Sequence, residues 1–295
     1  MSKLTTISRS EVLSDPRVQS LLSDTTFSAL VSRLQELDQV VVAFSGGADS
    51  AFLAYVARSA LGRESVKVVT AVSPSLGSGE LDHCRESARA WDIPFSTVAT
   101  SEMDNPNYVA NGHDRCYWCK VELMNSISPI IEATSAKVIL GVNLDDLGDF
   151  RPGQKAALEA GAIFPLVDAR YTKELIREHS RILGLSTWNR PQSACLSSRI
   201  PYGTSVSVPI LSQLDRAETA LKRLGFAQVR VRHYDMLARI EFLLEDFEAV
   251  VEKRSQVVDA VKSAGYRYVT VDMEGFRSGN LNAKIAPEVS VEDRC

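Results

Sequence analysis

An apolar run that ends in a serine- and glycine-rich turn is the feature that most limits how this chain can fold. Residues 40–44 are mostly valine, which is typical of a buried β-strand. Directly after this run comes the hexapeptide Ser45-Gly46-Gly47-Ala48-Asp49-Ser50, and apolar residues then recur at helical spacing up to Leu61. The pattern predicts a strand that turns sharply into a helix, which is the basic unit of an α/β fold.

The turn has the chemistry of an anion-binding loop. Two glycines let backbone N–H groups approach an anion closely, and the helix N-terminus behind them adds partial positive charge. The two serines can add hydroxyl donors, and the aspartate is suited to a metal ion. We therefore predict a site for pyrophosphate and Mg²⁺ at Ser45, Gly46, Gly47, Asp49 and Ser50. The lysine of a Walker loop and the third glycine of a dinucleotide fingerprint are missing, and an ordinary strand–turn–helix corner is the alternative.

The composition is that of an ordinary soluble protein. The chain has 295 residues, enough for two domains, of which 45% are hydrophobic and 24% charged. A net charge of −4 argues against a general electrostatic grip on nucleic acid, so we expect no such partner. No apolar run has the length of a signal peptide near the start or of a bilayer span anywhere. We therefore expect a cytoplasmic protein without a membrane partner.

The sequence contains five cysteines. An odd number in a chain of this size favours free or metal-binding thiols over a disulfide framework. Cys84 lies within a predicted helix and is expected to be a packed or idle thiol, and we expect no role for Cys295.

Strand-like and helix-like segments alternate after the opening unit. The predicted strands are 66–72, 95–99 and 137–142, and the predicted helices are 80–91, 117–133 and 172–183. Pro129 is expected to kink or divide the second of these helices. The alternation predicts an α/β fold with a parallel sheet and helices on both faces, whose ligands bind at the carboxyl ends of the strands.

The pattern changes from about residue 205. A helix (210–224), a hairpin (228–233 with 236–242), a second helix (247–264) and a last strand (267–273) indicate a small α+β domain. We thus expect a loosely held segment 1–25, a nucleotide-binding domain 26–204 that includes the cysteine loop, and an α+β domain 205–295.

Three cysteines form a candidate metal centre. Cys116 and Cys119 have C-x-x-C spacing at the predicted start of a helix, and Cys195 lies in an irregular loop. Lys120 beside the pair favours thiolates. Three thiolates suit an iron–sulfur cluster with an open iron, or zinc with a fourth ligand such as His113. A redox dithiol is a third option, and the spacing alone does not choose among the three.

The hexapeptide resembles the pyrophosphate loop of the N-type ATP pyrophosphatases, which cleave ATP to AMP and pyrophosphate on a fold like that of the adenine nucleotide α-hydrolases. With four further motifs, the chain resembles one family of this PP-loop superfamily, the LarE sulfur transferases. The motifs that carry this resemblance are residues 42–50, 149–153, 195–204, 229–232 and 275–279. The resemblance implies adenylation of the carboxylates of pyridinium-3,5-biscarboxylic acid mononucleotide and their conversion to thiocarboxylates. This reaction belongs to synthesis of the nickel-pincer nucleotide cofactor of lactate racemase.

The resemblance also implies roles for individual residues. In one style of the family, a single cysteine at the position of Cys195 gives up its own sulfur and is left as dehydroalanine. In the other, cysteines at the positions of Cys116 and Cys119 join it to hold a [4Fe–4S] cluster whose open iron carries a transferable sulfide. This chain has all three. The other implied roles are catalysis by Lys120 and Arg199, nucleotide binding by Asp149 and Arg151, and binding of substrate phosphate by Arg230, Arg232 and Arg277. As partners we expect the small-molecule mononucleotide, a sulfide donor and further copies of the chain in a homo-oligomer.

Simpler alternatives exist for several of these residues. Arg230 and Arg232 alternate on one predicted strand, which is also typical of a solvated face. Arg277 in a glycine-rich turn could only stabilise that turn, and Asp145 and Asp146 are candidate metal ligands or idle carboxylates. For the whole chain, the alternatives are a tRNA thiolase with a basic RNA-binding face, and a non-catalytic nucleotide-binding protein in which zinc stabilises the cysteine loop.

Overall fold

The computed structural model describes residues 13–147, 152–190 and 194–277 of the chain. These residues form two compact units. The first contains residues 13–108, 114–147 and 152–190, and the second contains residues 109–113 and 194–277. The loop that carries Cys195 thus packs with the second unit, whereas the expected domain division placed it with the first. The functional roles that were expected for these domains stay a prediction.

The elements follow the alternation that the sequence predicts. In chain order the α-helices are α1 (Pro16–Leu21), α2 (Thr25–Gln35), α3 (Ala48–Leu61), α4 (Glu80–Ala90), α5 (Pro106–Val109), α6 (Arg115–Thr134), α7 (Pro152–Glu159), α8 (Pro165–Asp168), α9 (Lys173–Ile182), α10 (Val208–Arg223), α11 (Phe247–Glu252) and α12 (Arg254–Ser263). The β-strands are β1 (Val40–Ala43), β2 (Val66–Val72), β3 (Phe95–Ala99), β4 (Lys137–Leu140), β5 (Val229–Tyr234), β6 (Leu237–Phe242) and β7 (Tyr268–Val271).

The first unit is built on a parallel four-stranded sheet in the order β3-β2-β1-β4. The central strand β1 pairs with β2 and β4 in parallel, so that Val40 lies opposite both Val66 and Lys137. The predicted α/β fold is confirmed. Because the strands are parallel, the segments after β1, β2, β3 and β4 all emerge at one edge, where ligands bind in such sheets.

Both faces of this sheet are covered. Val40 and Val42 belong to a buried cluster that includes residues of α2, α3, α4 and α9. Val41, between them, belongs to a second cluster with residues of α6 and α7. Successive side chains of a strand point to opposite faces, and here both faces are apolar, which explains the unbroken valine run.

The start of the chain is packed from α1 onwards. Asp15 is the N-cap of α1 and accepts a hydrogen bond from the Arg17 N–H, and Val18 and Leu21 are buried in the core of the first unit. The expectation of a loosely held segment up to residue 25 is therefore wrong for this stretch, because its apolar residues fill a helical stripe. Helix α6 continues through Pro129 as a single element, so this proline does not divide it.

The second unit contains a three-stranded sheet in the order β5-β6-β7. The predicted hairpin is confirmed, since β5 and β6 are antiparallel, and β7 adds to β6 in parallel. The predicted single helix 247–264 is wrong. It is divided into α11 and α12 at Lys253, whose backbone leaves the helical region and whose Nζ donates to the carbonyl of Leu224 at 2.8 Å.

Across these described residues, no helix is both long and apolar enough to cross a membrane.

Candidate active site

The pyrophosphate loop, residues 44–50, joins β1 to α3 at the carboxyl edge of the parallel sheet. Gly46 has a φ of +70°, and a Cβ at this position would lie 2.8 Å from Sγ of the buried Cys84. Only glycine fits there without strain or collision. Gly47 is the extended N-cap of α3 and supplies no capping side chain. The N-terminus of α3 therefore lacks the usual side-chain acceptor, whose place an anion can take.

The two serines of the loop have different surroundings. The buried Ser50 donates through Oγ to the Gly47 carbonyl at 3.1 Å and accepts from the Ser45 N–H at 3.3 Å. The Ser45 hydroxyl lies 3.1 Å from that of Ser50, on an exposed residue. Ser50 thus stabilises the loop from within, and Ser45 faces outward. Asp49 stands in the first turn of α3, where the helix dipole favours a carboxylate.

The end of β4 closes against the same loop. A Cβ on Gly141 would lie 2.7 Å from the backbone nitrogen of Ser50, so a side chain there would push α3 away. Two residues further on, Asn143 is fully buried. Its Oδ1 accepts from the Asp145 N–H, whereas its Nδ2 has no hydrogen-bond partner among the described residues. An orphaned amide donor of this kind normally has a water or ligand partner.

The carboxylates after β4 are engaged with α9. Asp146 Oδ1 lies 2.8 Å from Lys173 Nζ, and Asp145 Oδ2 accepts from the Lys173 backbone N–H at 2.7 Å. These contacts position the start of α9. They give both carboxylates a structural role.

Cys116 and Cys119 lie one turn apart at the start of α6. Cys116 is exposed and Cys119 is partly buried, and neither forms a disulfide. Burial lowers the pKa of Lys120, and the thiols of Cys119 and Cys116 oppose this effect. A Cβ on Gly153 of α7 would lie 2.9 Å from the Cys116 carbonyl, so α7 holds this turn closely. The pair has the exposure and the basic neighbour that favour reactive or metal-binding thiolates.

Cys195 is exposed on a segment that arginines hold in place. Arg199 donates through Nη1 to the carbonyls of Ala194 and Cys195 at 2.7 and 3.2 Å. Its other side forms a buried, bidentate ion pair with Glu218, at 2.8 and 3.0 Å. Arg199 therefore supports the backbone around the thiol, and in this geometry its guanidinium is occupied by these hydrogen bonds and by the ion pair with Glu218.

A buried asparagine holds the turn that follows. The Asn111 Nδ2 donates to the carbonyls of Pro201 and Thr204 at 2.8 Å each and of Ile200 at 3.3 Å. Asn111 itself has a left-handed φ of +54°. These hydrogen bonds connect the segment 109–113 to the rest of the second unit, although the residues before and after this segment belong to the first unit.

Arg230 and Arg232 are both buried on β5, yet only Arg232 is paired. Arg232 forms a bidentate ion pair with Glu241 at 2.9 and 2.8 Å and donates to the Ser198 carbonyl at 2.7 Å. Arg230 is 6% exposed and stacks on Phe276, with 4.4 Å from Cζ to the ring centroid. It has no ion pair within the part of the chain that the structure describes. Burial, followed by the positive charges of Arg199 and Arg232, lowers the pKa of Arg230 to about 10.

The remaining predicted residues fall outside this group. Arg277 pairs with Glu274 on the surface. Asp149, Arg151 and Cys295 lie outside the described residues. Within the described ranges, no group of three or more His, Cys, Asp or Glu side chains is gathered as a metal site. Cys84 is buried, as expected.

Comparison with known proteins identifies the family. Residues 25–104 match a family model described as NAD synthase. An uncharacterised protein of Synechocystis is 44% identical over 84% of this chain and 93% of its own length. The pyridinium-3,5-bisthiocarboxylic acid mononucleotide synthase of Lactiplantibacillus plantarum is 35% identical over 86% of this chain and 93% of its own length. The chain belongs to the LarE family. An uncharacterised protein of Methanocaldococcus jannaschii is 24% identical to this LarE-family chain over 81% of the chain and 91% of its own length. The pyrophosphate loop and LarE-family membership together indicate an ATP-using enzyme.

Several residues of the candidate site could not be found by sequence reasoning. Glu218 and Glu241, which pair with the arginines, are distant in the sequence and lie on an ordinary amphipathic helix and strand. Arg190, which contacts the pyrophosphate loop, lies in a segment without periodicity. Gly141 and Asn143 carry a weak signal, a glycine and a polar residue directly after a buried strand, because this is where such sheets bind ligands.

Proposed function

We propose that the chain is an ATP-dependent sulfur transferase that converts the carboxylates of pyridinium-3,5-biscarboxylic acid mononucleotide into thiocarboxylates. The 35% identical Lactiplantibacillus plantarum relative, a pyridinium-3,5-bisthiocarboxylic acid mononucleotide synthase, supports this class of product. The observation that carries the proposal lies in the second unit. The exposed Cys195 thiol stands on a segment fixed by Arg199 and Arg232, and the neighbouring Arg230 is a buried cation without an acidic partner in the described residues. A sulfur nucleophile and a cation suited to a phosphate thus belong to one unit.

ATP activates the carboxylate in the first step. A carboxylate oxygen of the substrate attacks the α-phosphorus of ATP, the bond to the β-phosphate oxygen breaks, and pyrophosphate leaves with its electron pair. Backbone N–H groups of Gly47 and the start of α3 stabilise the leaving group. Asp49 is the residue that would hold Mg²⁺, whose chemistry is to neutralise the phosphate charge.

Sulfur replaces AMP in the second step. A thiolate attacks the acyl carbon, and the bond from that carbon to the AMP oxygen breaks, so that AMP leaves. If Cys195 is itself the donor, its Cβ–S bond then breaks with loss of the Cα proton, and dehydroalanine remains. Lys120 beside Cys116 and Cys119 favours thiolates there, and Arg199 keeps the Cys195 backbone in place.

A [4Fe–4S] cluster on Cys116, Cys119 and Cys195 is the sulfur carrier that we prefer. When bound, such a cluster offers an open iron that can carry a sulfide. The chemistry of the residues supports this preference, since all three thiols are exposed or partly buried and none forms a disulfide. A cytoplasmic location, an external sulfide donor and a homo-oligomer belong to the same proposal. Zinc at these residues is the less favoured occupant.

Anaerobic purification followed by iron, zinc and acid-labile sulfide analysis tests the carrier. Iron with sulfide, lost in Cys116→Ser and Cys195→Ser but kept in Cys84→Ser, is expected; zinc without sulfide contradicts the cluster. If no metal is found, the intact mass after turnover decides the sacrificial route, which removes one H₂S from Cys195.

Incubation with Mg²⁺, ATP and the mononucleotide tests the reaction. We expect pyrophosphate, AMP and thiocarboxylate from the unaltered protein, and pyrophosphate without thiocarboxylate from Cys195→Ser. Retention of RNA at moderate salt would instead support a tRNA thiolase, and ATP binding without pyrophosphate release would support a non-catalytic protein.

A further inference from the structure

Arg190 links the pyrophosphate loop to α4 through two charge-assisted hydrogen bonds. Its Nη1 donates to the Gly46 carbonyl at 2.8 Å, and its Nη2 donates to Glu80 Oε2 at 2.9 Å. Both side chains are largely buried, at 20% and 12% exposure. The guanidinium fork suits this task because it can serve a carbonyl and a carboxylate at once.

The contact fixes the orientation of one peptide plane. In a trans peptide the C=O and the following N–H point in opposite directions. Because Arg190 holds the Gly46 carbonyl on its own side, the Gly47 N–H points to the other side, where Ser45 Oγ accepts a weak hydrogen bond at 3.4 Å. This is the N–H group at the N-cap of α3, and it belongs to the anion-binding face of the loop.

Rotation of this plane would reverse the charge presented to an anion. Gly46 has no side chain to limit its φ and ψ, and it already occupies the left-handed region. Without an anchor, the plane between Gly46 and Gly47 can turn its carbonyl oxygen towards the phosphates and its N–H away from them. A phosphate would then meet a partial negative charge where it needs a donor.

We propose that Arg190 is a positioning residue that keeps the Gly47 N–H directed at the pyrophosphate group of the nucleotide. The inference rests on the proposed use of ATP and deepens it. Glu80 takes part in this positioning, because its carboxylate holds the Arg190 guanidinium on the Gly46 side of the loop and offsets the charge of that guanidinium. Arg190 therefore acts on the phosphates through the backbone, without touching them.

Binding of Mg²⁺–pyrophosphate, measured by calorimetry on the full chain, tests this role, with AMP as the second probe. We expect Arg190→Gln to weaken Mg²⁺–pyrophosphate about tenfold, the loss of roughly one charge-assisted hydrogen bond, and to change AMP affinity less than twofold. Arg190→Lys can reach one acceptor at a time and should recover part of the affinity. A purely structural role would lower both affinities together.

The chain offers a matched control in Arg58. This arginine also serves a backbone carbonyl and a carboxylate, both of Asp92, at 3.0 and 3.1 Å, and it lies in the same unit. Arg58→Gln should leave both probes unchanged. Unaltered Mg²⁺–pyrophosphate binding in both Arg190 variants, or an equal loss for both probes, overturns the positioning role. Absence of pyrophosphate binding in the unaltered protein overturns the proposed use of ATP instead. If Arg190→Gln does not fold, the variants Arg190→Lys and Glu80→Gln replace it in the test. The positioning role then requires that each of them weakens Mg²⁺–pyrophosphate binding more than AMP binding.

Discussion

The buried arginines of the second unit are of two kinds. Two of them stabilise the fold through ion pairs, and one is available to a ligand. Arg199 and Arg232 are matched by Glu218 and Glu241. Arg230 stacks on the ring of Phe276 and has no acidic partner among the described residues. A lowered pKa means that the charged form of Arg230 is unfavourable in the folded chain. The lowering of the Arg230 pKa from its ordinary value to about 10 corresponds to about 3 kcal/mol against folding. This penalty is present at all pH values below the folded pKa and is relieved only as the pH rises above it.

The first prediction compares two arginine substitutions. Arg230→Met should leave the free energy of unfolding unchanged or raise it by up to about 3 kcal/mol, because it removes an unfavourable buried charge and keeps an apolar contact with Phe276. Arg232→Met should lower it by about 3 kcal/mol, because Glu241 loses its bidentate partner. Urea unfolding at pH 7 measures both.

Added inorganic phosphate tests the functional part of the same prediction. It should stabilise the unaltered chain and fail to stabilise Arg230→Met. A destabilised Arg230→Met variant that still gains stability from phosphate would contradict the assignment of Arg230 as the phosphate-binding cation.

The turn after Cys195 is an element whose shape depends on one amide. Asn111 holds three carbonyls of that turn, so Asn111→Ala leaves them without this donor and should cost about 2 kcal/mol. We expect thiocarboxylate formation to fall at least tenfold while pyrophosphate release changes less than twofold. Paired assays of both products measure this. The control is Asn107→Ala, at an exposed position of α5, which should change the yield of neither product. Equal losses of both products in Asn111→Ala would contradict a role of Asn111 that is confined to the cysteine segment.

Elements with a strong period were predictable from the sequence, and the contacts between them were not. β2 and β3 have the predicted bounds because their alternation and β-branched content are local properties. The division of 247–264 at Lys253 was missed because the apolar period runs through this residue, and its contact with the Leu224 carbonyl, some thirty residues away, leaves no local signal. The glycines and serines of the pyrophosphate loop were predictable as a site because their chemistry is local. Arg190, Glu80 and Glu218 were not, since nothing near them in the sequence indicates their partners.

At the scale of the whole chain, a ligand that binds only the folded state must raise its stability. Mg²⁺–ATP at one hundred times its dissociation constant should add about 2.7 kcal/mol, seen as a higher melting temperature in scanning calorimetry. Asp49→Asn should remove the part of this gain that depends on Mg²⁺ and keep the part given by ATP with EDTA. An identical gain with and without Mg²⁺ in the unaltered chain would contradict the assignment of Asp49.

The parallel pairing of β7 with β6 has a consequence for the order of assembly. The hairpin of β5 and β6 closes through a short turn, whereas β7 can dock only after residues 243–267 have crossed over, which makes its loop closure slower. Phe276 follows β7, and its ring is the contact that covers Arg230. During synthesis on the ribosome, the environment of Arg230 is therefore among the last parts of the second unit to form, and until then this guanidinium remains hydrated.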